Sequence, residues 1–196
     1  MHQIFLVTPC SYMHAGLAAL MGTAREGGQV SRISRPEEIL MIPPVTGTRL
    51  VLVPVPGREP RVAALAEMYL WRQELLQISG RMPLLPCVLL SDRIRKEYRA
   101  LAEHTEAMAL RDMLGEILAH PEKAMRQVPL QRAGRELSPL QAKILAGTLA
   151  GESVVEMAGR LDMPPRGIFA GRAALMNKLG LKNRLGLMAL SEAELV

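Results

Sequence analysis

The chain has 196 residues, with 24 Lys and Arg against 19 Asp and Glu, and only two cysteines, Cys10 and Cys87. That length makes one large domain or two small ones with a substantial core, while so few cysteines exclude a disulfide framework and lack metal-ligand company. No run of about 18 uncharged apolar residues occurs and no basic segment precedes a cleavable apolar stretch, which predicts a soluble, cytoplasmic chain with no membrane partner.

Ile4–Val7 is the first predicted strand, followed by a helix over Ser11–Met21. Further strands are expected at Gln29–Ile33, Arg49–Val53, Leu84–Leu90 and Ala107–Leu110, and further helices at Arg61–Ile78, Ile94–Glu103 and Asp112–His120. Within Arg61–Ile78 the apolar residues Val62, Leu65, Ala66, Tyr69 and Leu76 recur at helical spacing. Uninterrupted apolar strands suit a parallel sheet covered on both faces, and this alternation implies a doubly wound α/β domain over residues 1–119. Pro36–Thr48, with Pro43, Pro44 and Gly47, is irregular and leaves one helix of the set short or missing. Both thiols are expected to be buried, and Cys10 and His14 to be structural, since no second Cys/His pair accompanies them.

From His120 to Glu136 the periodicity is lost among Pro121, Pro129 and Gly134, which predicts a linker over 120–136. The rest, 137–196, is wholly helical in four short pieces: Pro139–Leu149, Val154–Leu161, Arg166–Leu179 and Arg184–Leu190. Ser138 before Pro139 is a helix start, and Gly151 and Gly180 are C-terminal stops. Most of the positive excess lies here: residues 1–119 hold 13 basic and 12 acidic side chains, residues 120–196 hold 11 and 7. That placing fits a nucleic-acid partner. Thirteen methionines against two Phe point to an adaptable core rather than aromatic platforms for single strands.

The C-terminal pattern resembles the helix-turn-helix domain of LuxR-type (NarL-class) transcription regulators over about 50 residues. The match lies in Leu137-Ser138-Pro139, Ile144-Leu145, Gly151, Ser153, Glu156, Ala158, Leu161, Ile168, Leu175, Lys178-Leu179-Gly180 and Asn183-Arg184, without a gap. The helix after the turn Asp162–Pro165 would then enter a major groove of double-stranded DNA. Advancing about 100° per residue from Ile168, the side chains of Arg166, Phe169, Ala170, Ala173 and Asn177 point away from the core. Phosphate contacts are expected from Arg166, Arg172, Lys178, Lys182 and Arg184, which support affinity more than specificity. The sequence departs from the family where a base-reaching Lys is usual, carrying Phe169, and Ala170 and Ala173 stand at two other base-contacting positions. Apolar contacts touch a thymine methyl but cannot form the bidentate bonds that discriminate best. The last helix carries Leu185, Leu187, Met188 and Leu190, more apolar surface than one small bundle covers, and these are the expected dimerisation residues.

The same resemblance implies that the first domain is receiver-like. An acidic pair after strand one and a phospho-accepting Asp after strand three are usual there; this chain has Thr8-Pro9 and Leu52-Val53-Pro54. Without carboxylates there is no magnesium site and no acyl phosphate. Ser91 and Arg111 fall at the expected ends of strands four and five, Ser91 also suiting a helix cap. The stretch CSYMHAGL resembles the same corner of RcsA-like auxiliary regulators, which pair with an intact RcsB-like protein. No cofactor and no enzyme activity are expected, because no phosphate loop, catalytic carboxylate pair or nucleophile–His constellation is present. Three roles follow from the resemblance: an auxiliary regulator in a heterodimer with another LuxR-type protein, an independent homodimer reading A·T-rich sites, or a module that sequesters an intact regulator.

Overall fold

Residues whose side chains are apolar on both faces build the centre of the sheet. In the computed structural model, which describes residues 1–23, 28–92, 95–126, 136–181, 187, 188 and 190, strands β1 (His2–Val7), β2 (Gly28–Ile33), β3 (Arg49–Pro54), β4 (Cys87–Leu90) and β5 (Arg99–Leu101) pair in parallel in the order β2-β1-β3-β4-β5. Phe5 opposes Val51, which in turn opposes Cys87, and all three are buried. On one face α1 (Ser11–Gly22) and α4 (Ala107–Ala119) cover Ile4, Leu6, Leu50 and Leu52 with Leu17, Met21, Leu114 and Ile117. On the other, α3 (Pro60–Ile78) lays Ala66, Tyr69, Leu70 and Leu76 over Phe5, Val51 and Val53.

The expected short helix is α2 (Glu38–Met41), a single turn. Its segment is tied down by Arg49, whose guanidinium donates to the carbonyls of Ile39 and Ile42 at 2.7 and 3.1 Å. The region after β4 departs from the sequence reading. The helix expected over Ile94–Glu103 is absent from its described residues, where Arg99–Leu101 forms β5, and Ala107–Leu110 opens α4 instead of forming a strand. Ala, Met and Leu are strong helix formers without β-branching, so the four residues form the first turn of α4, and Leu110 begins the apolar row that continues in Leu114, Ile117 and Leu118. Arg111 consequently lies inside α4, paired with Asp112 at 3.1 Å, not at a strand end. Ser91 does follow β4, but no helix starts among the described residues that follow it.

The α/β unit continues past residue 119. Pro121–Ala124 form a 3-10 turn that buries Ala124, and Arg126 is bound to α3, so these residues expected in a linker pack as domain. Residues 127–135 lie outside the described residues. Among the described residues three helices follow: α5 (Pro139–Leu149), α6 (Val154–Arg160) and α7 (Pro165–Leu179). Only residues 187, 188 and 190 of the expected fourth helix are described. Their core of Ile144, Leu145, Met157, Ile168, Leu175 and Leu179 is continuous with Ala64 and Met68 of α3, which joins the helical unit to the α/β unit.

The two cysteines differ. Cys87 is buried in the central sheet, and burial pushes its thiol up to about 12. Cys10 is exposed, contrary to expectation, and its Sγ accepts the Met13 N–H at the start of α1. A thiol reagent at pH 8 should therefore modify one cysteine per native chain and two in denaturant. Cys10→Ser should abolish the native reaction, as a mass spectrum would read directly.

Candidate nucleic-acid interface

The helical unit is built from local signals that its sequence states plainly. Ser138 Oγ accepts the Gln141 N–H at 3.2 Å while the Gln141 side chain accepts from the Ser138 N–H at 3.0 Å. Ser153 and Glu156 make the same reciprocal pair at the start of α6. Such boxes satisfy helix-start N–H groups that have no intrahelical acceptor. Gly151 and Gly180 adopt the left-handed conformation, with φ of 81° and 72°, at the ends of α5 and α7. Asp162 also takes positive φ, 50°, in the turn that redirects the chain from α6 into α7.

This turn sets α7 across α5 and α6 with Ile168, Leu175 and Leu179 buried inward. The approach is close at Gly171: a Cβ there would stand 2.4 Å from Ile144 Cδ1. Glycine inside α7 costs helix propensity, yet this position buys the contact between α5 and α7. The opposite face of α7 is open. Arg166, Phe169, Ala170, Ala173 and Asn177 are all exposed, Phe169 by 53%, so the aromatic ring is not a core residue. The α/β unit meets the helices through α3 and leaves this surface uncovered.

The other expected cations are placed differently. Arg172 is 7% exposed and points inward, its Nε donating to Thr148 Oγ1 at 3.0 Å and a terminal nitrogen to the Glu152 carbonyl at 3.1 Å. It braces α7 on the α5–α6 connection and does not reach for phosphate. A helical wheel contains the signal: Arg172 lies only about 40° from Ile168 and about 20° from Leu179, on the buried side of α7. Lys178 is half-buried and its Nζ donates to the Glu136 carbonyl at 2.5 Å and to Gln141 Oε1 at 3.1 Å, holding the start of α5. Arg160, on α6, is paired with Glu152 at 2.8 Å. Lys182 and Arg184 lie outside the described residues. Arg166 is therefore the one predicted cation on the open face of α7 among the described residues.

The dimerisation residues also divide. Leu187 and Leu190 are 1% and 4% exposed within the helical core, Met188 is 54% exposed, and Leu185 lies outside the described residues. The sequence reading counted more apolar surface than a small bundle covers. It could not include Ala64 and Met68, which α3 contributes to the same core.

At the carboxyl ends of β1 and β3 the side chains are Thr8, Pro9 and Pro54. Thr8 is buried and its Oγ1 accepts the Cys10 N–H at 3.1 Å, so the hydroxyl shapes the corner. After β3, the Gly57 N–H donates to Glu103 Oε2 at 2.8 Å, and the Glu103 N–H donates to Asp92 Oδ1 at 2.9 Å. These carboxylates are engaged by backbone donors, tying the loops after β3, β4 and β5 together. His14, half-buried, makes a hydrogen bond to the Val30 carbonyl at 3.2 Å. Among the described residues no group of three His, Cys, Asp or Glu side chains is placed to hold a metal ion, and no helix is long and apolar enough to cross a membrane.

No protein-family model matches the sequence, and no curated protein is significantly similar to it. Solved structures do align with the chain. RcsB from Salmonella enterica serovar Typhimurium, bound to promoter P1flhDC in the presence of phosphomimetic BeF3-, is 17% identical, covers 98% of each chain and has a TM-score of 0.49. Full-length FixJ from B. japonicum is 17% identical over 95% of this chain and 93% of its own, with a TM-score of 0.38. The response regulator StyR is 16% identical over 95% and 96%, also with a TM-score of 0.38.

Proposed function

We propose that the chain is a DNA-binding transcription regulator of the LuxR type that works without phosphorylation, as an auxiliary subunit beside another regulator of that type. The observation that carries this reading is the open face of α7, presented by a capped α6, a left-handed turn at Asp162 and a buried seam of Ile168, Leu175 and Leu179. That is the geometry by which a second helix enters a major groove. Thr8, Pro9 and Pro54 support the phosphorylation-independent part, since they offer neither oxygen-rich metal ligation nor a carboxylate acceptor. The auxiliary part is supported by the chemistry of Phe169, Ala170 and Ala173, which cannot make bidentate bonds to bases and leave sequence discrimination to a partner.

The test is binding to genomic duplex fragments at stated salt, with and without a full-length LuxR-type partner, before and after treatment with acetyl phosphate and magnesium. Binding that needs the partner and ignores acetyl phosphate is expected. Binding by the chain alone would favour the independent homodimer, and loss of the partner's own binding the sequestering module. Within the same assay Arg166→Ala should weaken all duplexes alike and reduce the salt slope by about 1. Phe169→Lys should raise general affinity without unfolding the helices, because the ring it replaces is exposed.

A further inference from the structure

The single turn of α2 leaves α3 without a full-length neighbour on its flank, and a cavity of about 860 Å³ opens there. It runs along α3 from Arg61 to Ser79 and is bounded by the segment after β2, Ile33 to Glu38. The volume falls in the range of small-molecule sites. One side is apolar, formed by Val62, Leu65, Met68, Trp71 and Leu75. Arginines at positions 35, 61, 72 and 81 surround it, against acidic Glu37, Glu38 and Glu136. Two of those acids are already engaged: Glu37 Oε1 accepts from Arg72 at 2.6 Å, and Glu38 Oε1 accepts the N–H groups of Ser34 and Arg35 at 3.0 and 2.8 Å.

Tyr69 adds an independent observation. It lines the cavity, is 2% exposed, and its hydroxyl has no hydrogen-bond partner among the described residues. Leaving a buried hydroxyl unsatisfied costs free energy that a phenylalanine would not. An unsatisfied hydroxyl on a residue of the cavity wall suits a ligand with one polar end.

We infer that this cavity binds a small amphipathic organic acid, its apolar body against Leu65, Trp71 and Leu75 and its polar end reaching Tyr69 and the arginine rim. Four arginines against three carboxylates, two of them already engaged, favour an anion over a cation. The wall is shared: Leu65, Met68 and Trp71 line the cavity and also pack against the core of the C-terminal helices, so an occupant bears on the surface by which α3 holds them. Binding here is independent of whether α7 meets DNA.

Trp71 is the only tryptophan in the chain, which makes its fluorescence a site-specific reporter. Titrating the full chain with 2-naphthoate, and separately with 2-naphthylmethylamine as its cationic counterpart, should give a saturable one-site change in Trp71 emission for the acid, with at least tenfold weaker binding of the amine. Calorimetry with the same compounds supplies a readout free of optical overlap. Tyr69→Phe should keep or raise the melting temperature yet weaken 2-naphthoate about fivefold or more. The double variant Arg35→Ala, Arg81→Ala, both on exposed side chains, should weaken it about tenfold with an unchanged circular dichroism spectrum. Equal binding of acid and amine, no saturable heat for the acid up to millimolar concentration, or undiminished affinity in folded Tyr69→Phe and the arginine variant would each overturn the assignment. If Tyr69→Phe failed to fold, the arginine variant and the acid-against-amine comparison would decide it.

Discussion

Replacing Arg126 by Ala is expected to destabilise the α/β unit by about 3–5 kcal/mol, because it strips the counter-charge from a buried carboxylate. Arg126 and Glu74 are only 8% and 4% exposed, and the guanidinium donates to Glu74 Oε1 at 2.6 Å and to the Tyr98 hydroxyl at 2.9 Å. Tyr98 donates to the same carboxylate oxygen at 2.8 Å, and the guanidinium lies over its ring, 5.2 Å from the centroid. Burial works against the charged guanidinium, but the bond to Glu74 and the nearby Tyr98 outweigh it and the Arg126 pKa is raised. Burial, with Cys87 and Glu74 beside it, drives the Tyr98 hydroxyl upward, so it stays neutral and able to donate at any working pH. Three separate segments meet in this cluster, α3, the approach to β5, and the chain just beyond the 3-10 turn. Urea unfolding would measure the loss. The double variant Glu74→Leu, Arg126→Met should recover most of it, since removing both charges of a buried pair is often close to neutral. A cost below about 1 kcal/mol for Arg126→Ala would mean that the pair is solvated and does not hold these segments together.

That cluster also shows where sequence periodicity stops being informative. Strands β1, β3 and β4 were legible because a central parallel strand buries both faces, and runs such as Ile4–Val7 and Leu50–Val53 have no polar residue to place outside. Strand β5 was not. It is three residues long, lies at the sheet edge and starts with an arginine, so its pairing with β4 leaves almost no mark on the pattern. Helix α5 was legible from its start, where Ser138 precedes Pro139, and the structure adds reciprocal caps by Ser138 with Gln141 and Ser153 with Glu156 that commit both helices locally. Arg126 carries no such mark. One of several basic residues in a stretch with prolines, it looks like a solvated linker residue until long-range packing brings Glu74 and Tyr98 to it. For the same reason Leu187 and Leu190 looked surplus in a small bundle, when α3 of the α/β unit, more than 100 residues earlier, enlarges the core that takes them.

The recognition helix makes the same distinction testable within one element. Arg172→Ala should destabilise the C-terminal helices by about 1.5–3 kcal/mol, the range for charged hydrogen bonds lost from a buried site. Arg172 Nε donates to Thr148 Oγ1, which in turn donates to the Ile144 carbonyl at 2.7 Å, while a terminal nitrogen of Arg172 donates to the Glu152 carbonyl. Removing the guanidinium leaves the Thr148 oxygen without that donor and frees the connection between α5 and α6 that fixes the angle of α7. Arg172→Lys should restore little, because one ammonium on a flexible stem cannot span both acceptors as the planar fork does. Arg166→Ala is the control on the same helix, since its side chain is exposed and its loss should leave the unfolding transition where it was. Thermal unfolding of the three variants beside duplex binding at several salt concentrations separates the roles. Arg172→Ala should lower the melting temperature, with the salt slope of its folded fraction unchanged; Arg166→Ala should lower the slope by about 1 at constant stability. If Arg172→Ala instead left stability intact and reduced the slope, the arginine would lie on the groove side and α7 would be rotated about its axis from the orientation that buries Ile168, Leu175 and Leu179.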